Sequence, residues 1–242
     1  MSVFLACFSA ALTALAIPNE FFLFGVPIAG LLALVPLYIA LRTAKSWQHS
    51  ACLCAVQTGL VHVFSSWWLG NFHGFGIYTL GASTIGTACI GFAFGMYQYV
   101  GLRIEHHFLP KPLAFTMLWV IYEAAKSASF LGYPWGTIYM ASYKWHLLTQ
   151  IADISGVYGI TFLFALTSAV LGEGILLVGM AAQQNPKQHY AAYACSAHIL
   201  LALCIVSILY GTATLVQQPA PQKQVNAVVV QQNIDPWEGG DK

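Results

Sequence analysis

The chain is 242 residues long, 58% hydrophobic and 7% charged, with 9 Lys+Arg against 8 Asp+Glu. A soluble domain is typically about 25% charged because its surface must be wetted, so most of this surface has lipid as its solvent. The formal net charge of +1 excludes the strongly basic face of a nucleic-acid binder, and no Lys/Arg run offers a polybasic lipid patch.

Residues 1–17 contain no Lys or Arg, so the charged region that opens a signal peptide is missing and the segment reads as a retained first helix. A crossing needs about 20 mostly apolar residues. Candidate spans are 2–17, 22–41, 50–70, 78–102, 113–131, 154–180 and 192–216. Pro18-Asn19-Glu20 closes the first, and Arg42, Lys45 and His49 separate the second from the third. Residues 70–74 follow the third, 103–112 the fourth, and 183–189 separate the last two. The expected fold is therefore an all-α polytopic membrane helix bundle of about seven transmembrane helices, ending in a short C-terminal β-strand. With an inside N-terminus, the inside loops hold Arg42, Lys45, Arg103, Lys111 and Lys187, against Lys144, Lys223 and Lys242 outside. That bias makes the N-terminus cytoplasmic and residues 217–242 external.

Within the spans, Gly81, Gly86, Gly91 and Gly95 give small-residue spacing for close helix packing. The six cysteines lie in apolar stretches and read as buried packing residues. His106-His107, with Glu105 the lone adjacent acid, reads as a solvated loop pair rather than a metal site. Trp67-Trp68, Trp135 and Trp145 sit where an interfacial aromatic belt is expected.

Ionisable groups at membrane depth are costly and point to function. Glu123 and Lys126 stand at i and i+3 in the fifth span, on one helix face where an ion pair can form. They hold the bundle together or face a polar cavity. Glu173 is a third such group. The loop from 130 to 143 carries Gly132 and Pro134, which fix a turn, and Trp135, Tyr139 and Tyr143, which suit headgroup level. It is an aromatic belt or the edge of a lipid-entry groove. After Pro219 and Pro221, the β-branched run 225–230 and Asn233-Ile234-Asp235-Pro236 read as a strand and turn outside the membrane. A lone strand has nothing to pair with, as if a soluble domain had begun.

Together these pieces resemble apolipoprotein N-acyltransferase, a membrane enzyme family of bacterial lipoprotein maturation. Leu118-Trp119, Glu123 and Lys126 are followed by Gly132-Tyr133-Pro134-Trp135. Gly156-Val157-Tyr158-Gly159 and Phe162-Leu163 come next, then VVVQQNID after the last span. The family commonly has Arg where Lys126 stands, and Gly-Tyr where Tyr139-Met140 stands. The resemblance implies a transmembrane domain over 1–216, with 217–242 the linker and first strand of a nitrilase-like domain. It implies an inner-membrane, multi-pass acyltransferase that moves an acyl chain from phospholipid to the N-terminal cysteine amine of lipoproteins. A Cys thiolate is its nucleophile, with Glu and Lys beside it. That Glu-Lys-Cys triad belongs downstream of the strand, so none of its positions falls within 242 residues, and the chain alone is expected to be inactive. No cofactor or metal is implied. Phospholipid donor, lipoprotein acceptor and the bilayer are the implied partners. Glu123, Lys126, Pro134, Trp135, Tyr139 and Trp237 are the structural or lipid-contacting candidates. The other readings are a small transporter with a polar path through Glu123 and Lys126, or a non-catalytic membrane scaffold.

Overall fold

Each apolar run becomes a helix or a helix pair in the computed structural model, which describes residues 1–72, 74–103, 109–128, 132–180, 187–217 and 225–230. The elements are α1 (Ser2–Ala16), α2 (Pro27–Leu32), α3 (Val35–Arg42), α4 (Trp47–Ser65), α5 (Gly76–Arg103) and α6 (Lys111–Ser127). Two four-residue helices follow, α7 (His146–Thr149) and α8 (Ala152–Ser155), and then α9 (Val157–Met180) and α10 (Lys187–Val216). Three segments are long and apolar enough to cross a membrane by length and composition alone: Gly76–Arg103, Val157–Gly179 and Tyr190–Val216. Ser2–Ala16 and Pro27–Arg42 are shorter apolar helices. The seven expected crossings thus reduce to three on this criterion. Buried Gln57, Thr58 and His62 lower the hydropathy of α4, and Glu123 and Lys126 that of α6.

α9 is the central helix, its span two-thirds buried inside the protein, while the spans of α5 and α10 bury only 11%. Phe164, Ala165 and Ala169 of α9 join Leu34, Leu37 and Tyr38 in the main core, with Phe115 and Trp119 of α6 beside them. Largely exposed α5 and α10 are apolar all round rather than amphipathic, the pattern a helix in lipid requires.

The second span is interrupted. Pro36 has no amide hydrogen to give the Leu32 carbonyl, and the chain breaks from α2 to α3 across residues 33–34. Side chains from two other helices satisfy the freed backbone. Ser9 Oγ donates to Ala33 O at 2.7 Å. Ser168 Oγ donates to Leu31 O at 2.8 Å and accepts from Leu34 N at 3.3 Å. Irregular backbone at membrane depth is tolerated only when bonded in this way.

α4 and α5 approach closely over half of the predicted glycine face. A Cβ on Gly95 would lie 2.6 Å from Ala51 Cα, and one on Gly91 would overlap Thr58. Ser50 Oγ donates to Gly95 O across this seam at 2.7 Å. Gly81 and Gly86 face open space, on the side of α5 turned away from Ser83, Thr84 and Thr87, which meet α4. Of the cysteines Cys54 alone is buried; Cys52, Cys89 and Cys195 are exposed on helix surfaces, so packing within the protein does not explain them. Residues 225–230 are exposed and carry no strand pairing among the described residues, where a strand was expected. His106 and His107 lie outside the described residues.

The loops sort to two ends. At one end Arg103 donates to the Ala44 carbonyl and stacks over Tyr99. At the other, the segments 17–26, 66–72 and 132–156 meet: Phe21 packs on Trp67, Trp68 on Trp135, and Tyr143 Oη donates to Phe24 O at 3.1 Å.

Candidate functional site

The polar residues of α6 tie the following loop to the bundle. Glu123 is buried and its two oxygens are used separately: Oε1 accepts from Ile138 N at 2.8 Å, and Oε2 from Thr161 Oγ1 of α9 at 2.7 Å. Lys126 Nζ donates to Trp135 O at 2.7 Å, and Lys126 O accepts from Tyr133 N at 2.9 Å. The expected Glu123–Lys126 ion pair does not form. Each charge reaches instead to the backbone of 135–138, which has no helical partner of its own and binds a charge-assisted donor or acceptor more strongly than a neutral one. The two residues act as the two ends of a clip that holds a strap, residues 132–138, against α6 and α9.

The strap has a fixed course. Pro134 O accepts from Thr137 Oγ1 at 2.8 Å, closing a tight turn. Gly136 sits at φ 75°, and a Cβ there would lie 2.6 Å from Ser65 Oγ on α4, so only glycine passes this point without strain. The Tyr133 ring lies 4.9 Å from the His62 ring of α4, and burial pushes the Tyr133 phenol above its ordinary value. His62 itself is buried and spans two residues of α5, with Ser83 Oγ 2.8 Å from Nε2 and Thr87 Oγ1 3.3 Å from Nδ1.

Trp135 therefore contributes in two ways. Its carbonyl is held by Lys126, while its ring, largely exposed, sits 6.1 Å from Tyr133 and 6.3 Å from Trp68. These rings form an aromatic rim at the loop end of α4, of the kind that settles at headgroup level. Tyr139 begins the next turn and is half-buried against the main core rather than on the rim. Trp237 lies outside the described residues.

A second polar cluster, at the opposite end, was not foreseen. Arg42 donates from Nε to Glu173 Oε2 at 2.8 Å and from Nη2 to Oε1 at 2.9 Å, a bidentate pair. Tyr38 Oη donates to the same Oε2 at 2.6 Å. Glu173 was read as an isolated membrane carboxylate and Arg42 as a loop cation. They are 131 residues apart, so no local pattern joins them. His62 was passed over as well, although a histidine within an apolar run is itself a signal.

None of these groups forms a nucleophile-and-base arrangement, and Glu123 and Glu173 each use both carboxylate oxygens as acceptors. The geometry is that of a platform that shapes a rim.

The wider comparison agrees with this geometry. The profile of the Apolipoprotein N-acyltransferase N-terminal domain matches residues 9–170, which include α6, the strap and most of α9. Apolipoprotein N-acyltransferase 2 of Treponema pallidum is 38% identical over 231 residues, covering 95% of this chain and 40% of that protein. Apolipoprotein N-acyltransferase 2 of Treponema denticola is 36% identical over 239 residues, covering 98% of this chain and 45% of its own. Apolipoprotein N-acyltransferase of Borreliella burgdorferi is 30% identical over 243 residues, covering 98% and 44%. The chain thus spans less than half the length of these relatives. It belongs to the apolipoprotein N-acyltransferase N-terminal domain family.

Proposed function

We propose that these 242 residues are the membrane portion of an apolipoprotein N-acyltransferase of the bacterial inner membrane. The helical units α1, α2–α3, α4, α5, α6, α9 and α10 make its seven crossings. The N-terminus is cytoplasmic and residues 217–242 are periplasmic, the basic loops of Arg42, Lys45, Arg103 and Lys111 marking the cytoplasmic end. Residues 225–230 are the first strand of a nitrilase-like domain, pairing with strands of that domain. The Glu-Lys-Cys triad that performs acyl transfer lies in it. Phospholipid is the acyl donor and a diacylated lipoprotein the acceptor.

In this reading the clip of Glu123 and Lys126 is structural. It sets the height of Pro134 and Trp135, whose strap and rim face the reacting lipids, and Trp237 continues that surface from the soluble side. Tyr139 supports the strap from the core. The observation that carries the reading is the family match over α6, the strap and α9 as far as residue 170.

An assay of the purified 242-residue chain in phospholipid vesicles, with a diacylated lipopeptide as acceptor, tests it. No N-acylation above background is expected. Turnover by this chain alone would place the chemistry among its own residues and end the platform reading.

A further inference from the structure

The turn between α1 and α2 exposes four consecutive apolar side chains: Phe21 at 53%, Phe22 at 44%, Leu23 at 73% and Phe24 at 67%. In water this would be an aggregation-prone patch. Asn19 ties the first half of the turn to the end of α1. Asn19 Oδ1 accepts from Phe21 N at 2.9 Å and Phe22 N at 3.0 Å, and Nδ2 donates to Ala14 O at 2.6 Å and Ile17 O at 3.0 Å. Gly25 N donates to Phe22 O at 3.0 Å, and Val26 N reaches back to Leu15 O at 2.8 Å. Gly25, at φ 54°, lets the chain return against the end of α1, where a Cβ would meet Ala16 O at 2.4 Å. A turn whose Phe21, Phe22 and Gly25 amides are bonded within it and whose side chains are apolar suits a boundary with lipid.

Depth gives the same answer. α1 has 15 residues, and at ~1.5 Å per residue it is about 22 Å long, short of a hydrocarbon core of about 30 Å. The turn after it therefore continues the crossing instead of leaving the membrane. Beside it stands one cation: Lys144 Nζ lies 4.6 Å from the Phe24 ring centroid and 5.4 Å from that of Tyr143. Its side chain is exposed, and neither Glu20, the acid of the turn, nor any other described carboxylate pairs with it. Two aromatic rings fix an unpaired ammonium at the boundary of an apolar surface.

We propose that residues 21–24 and Lys144 form a phospholipid-binding surface, the phosphate of an anionic leaflet lipid on Lys144 and its acyl chain along Phe21, Phe24 and neighbouring Trp67. Phe21 already packs on Trp67 at 6.0 Å and on Phe64 at 6.3 Å, so the acyl track is continuous with the side of α4. The site anchors a lipid at the rim and does not depend on acyl transfer.

Photocrosslinking tests it on the whole chain, reconstituted in vesicles of phosphatidylglycerol carrying a diazirine in the acyl chain. Peptide mapping is expected to find adducts on residues 21–24 and Trp67. With the probe diluted in phosphatidylcholine, Lys144→Gln should reduce that yield about fivefold, the effect of about one surface Lys–lipid contact. Adducts on lipid-facing Leu201 and Leu209 of α10 should not change, which shows the variant is inserted and folded. The proposal fails if 21–24 is unlabelled while α10 is labelled, or if Lys144→Gln leaves the ratio of the two yields unaltered.

Discussion

Replacing Glu123 with Ala is expected to lower the unfolding free energy by about 3–5 kcal/mol, the largest effect of any single change at the strap. The carboxylate is the acceptor for Ile138 N and Thr161 Oγ1, both buried, and neither has a second acceptor among the described residues. Each orphaned donor costs about 1–3 kcal/mol. Lys126 then keeps its position one helical turn away with the nearby counter-charge gone. Glu123→Gln retains one carbonyl acceptor at the same length, so about half of the loss should return. Urea unfolding in detergent micelles gives the energies, and limited proteolysis gives the location. Cleavage within 132–138 should rise sharply in Glu123→Ala and only modestly in Glu123→Gln. A Glu123→Ala protein within about 0.5 kcal/mol of the parent, in the range of ordinary surface changes, would show that the carboxylate does not hold the strap.

The opposite end should respond to Arg42 in the same way. Arg42→Ala leaves Glu173 as a buried carboxylate with Tyr38 as its hydrogen-bond donor and only the more distant charge of Lys111, and a loss of about 3–4 kcal/mol is expected. Arg42→Lys should recover little, because an ammonium cannot reproduce two parallel bonds to Oε1 and Oε2. The double change Arg42→Ala with Glu173→Ala should cost about 1–3 kcal/mol less than the sum of the singles, since removing both partners leaves no lone charge. Additive losses in this cycle would mean that the pair is not coupled. The pair joins the C-terminal end of α3 to α9, at the far end of that helix from the break at 33–34, which Ser9 and Ser168 hold.

How much of this was legible in the sequence depends on the range of the interaction. The helical units could be read because lipid exposure requires apolar surface all round, and that is a property of each run by itself. Pro36 marked the break in the second run, yet the run stayed apolar on both sides and so read as one helix. Glu123 and Lys126 stood out by their cost at membrane depth, but their spacing suggested a mutual pair. The actual partners are backbone groups of a loop 9 and 15 residues away, whose unmet hydrogen bonds exist only after that loop folds back, and Thr161 of α9, 38 residues away. Arg42 and Glu173 could not be joined from sequence, since only the packing of α3 on α9 brings them together. The strap motif Gly132-Tyr133-Pro134-Trp135 was the most informative local signal: it located the turn, and the family profile covers it. The terminal run 225–230 is expected as a strand from its β-branched residues, but a strand is defined by its partner, and none is present among the described residues.

The most direct test of the account is a graft. Residues 1–242 replace the matching front portion of one of the longer relatives, so that a relative's downstream half follows this chain's last residue. Inserted into membranes and given a diacylated lipopeptide, the chimera is expected to transfer an acyl chain from phospholipid to the cysteine amine, and Glu123→Ala in the chimera should lose most of that activity along with its strap. A chimera that is inserted and as protease-resistant as the parent chain, yet does not acylate, would contradict the claim that these residues are the membrane platform of the enzyme.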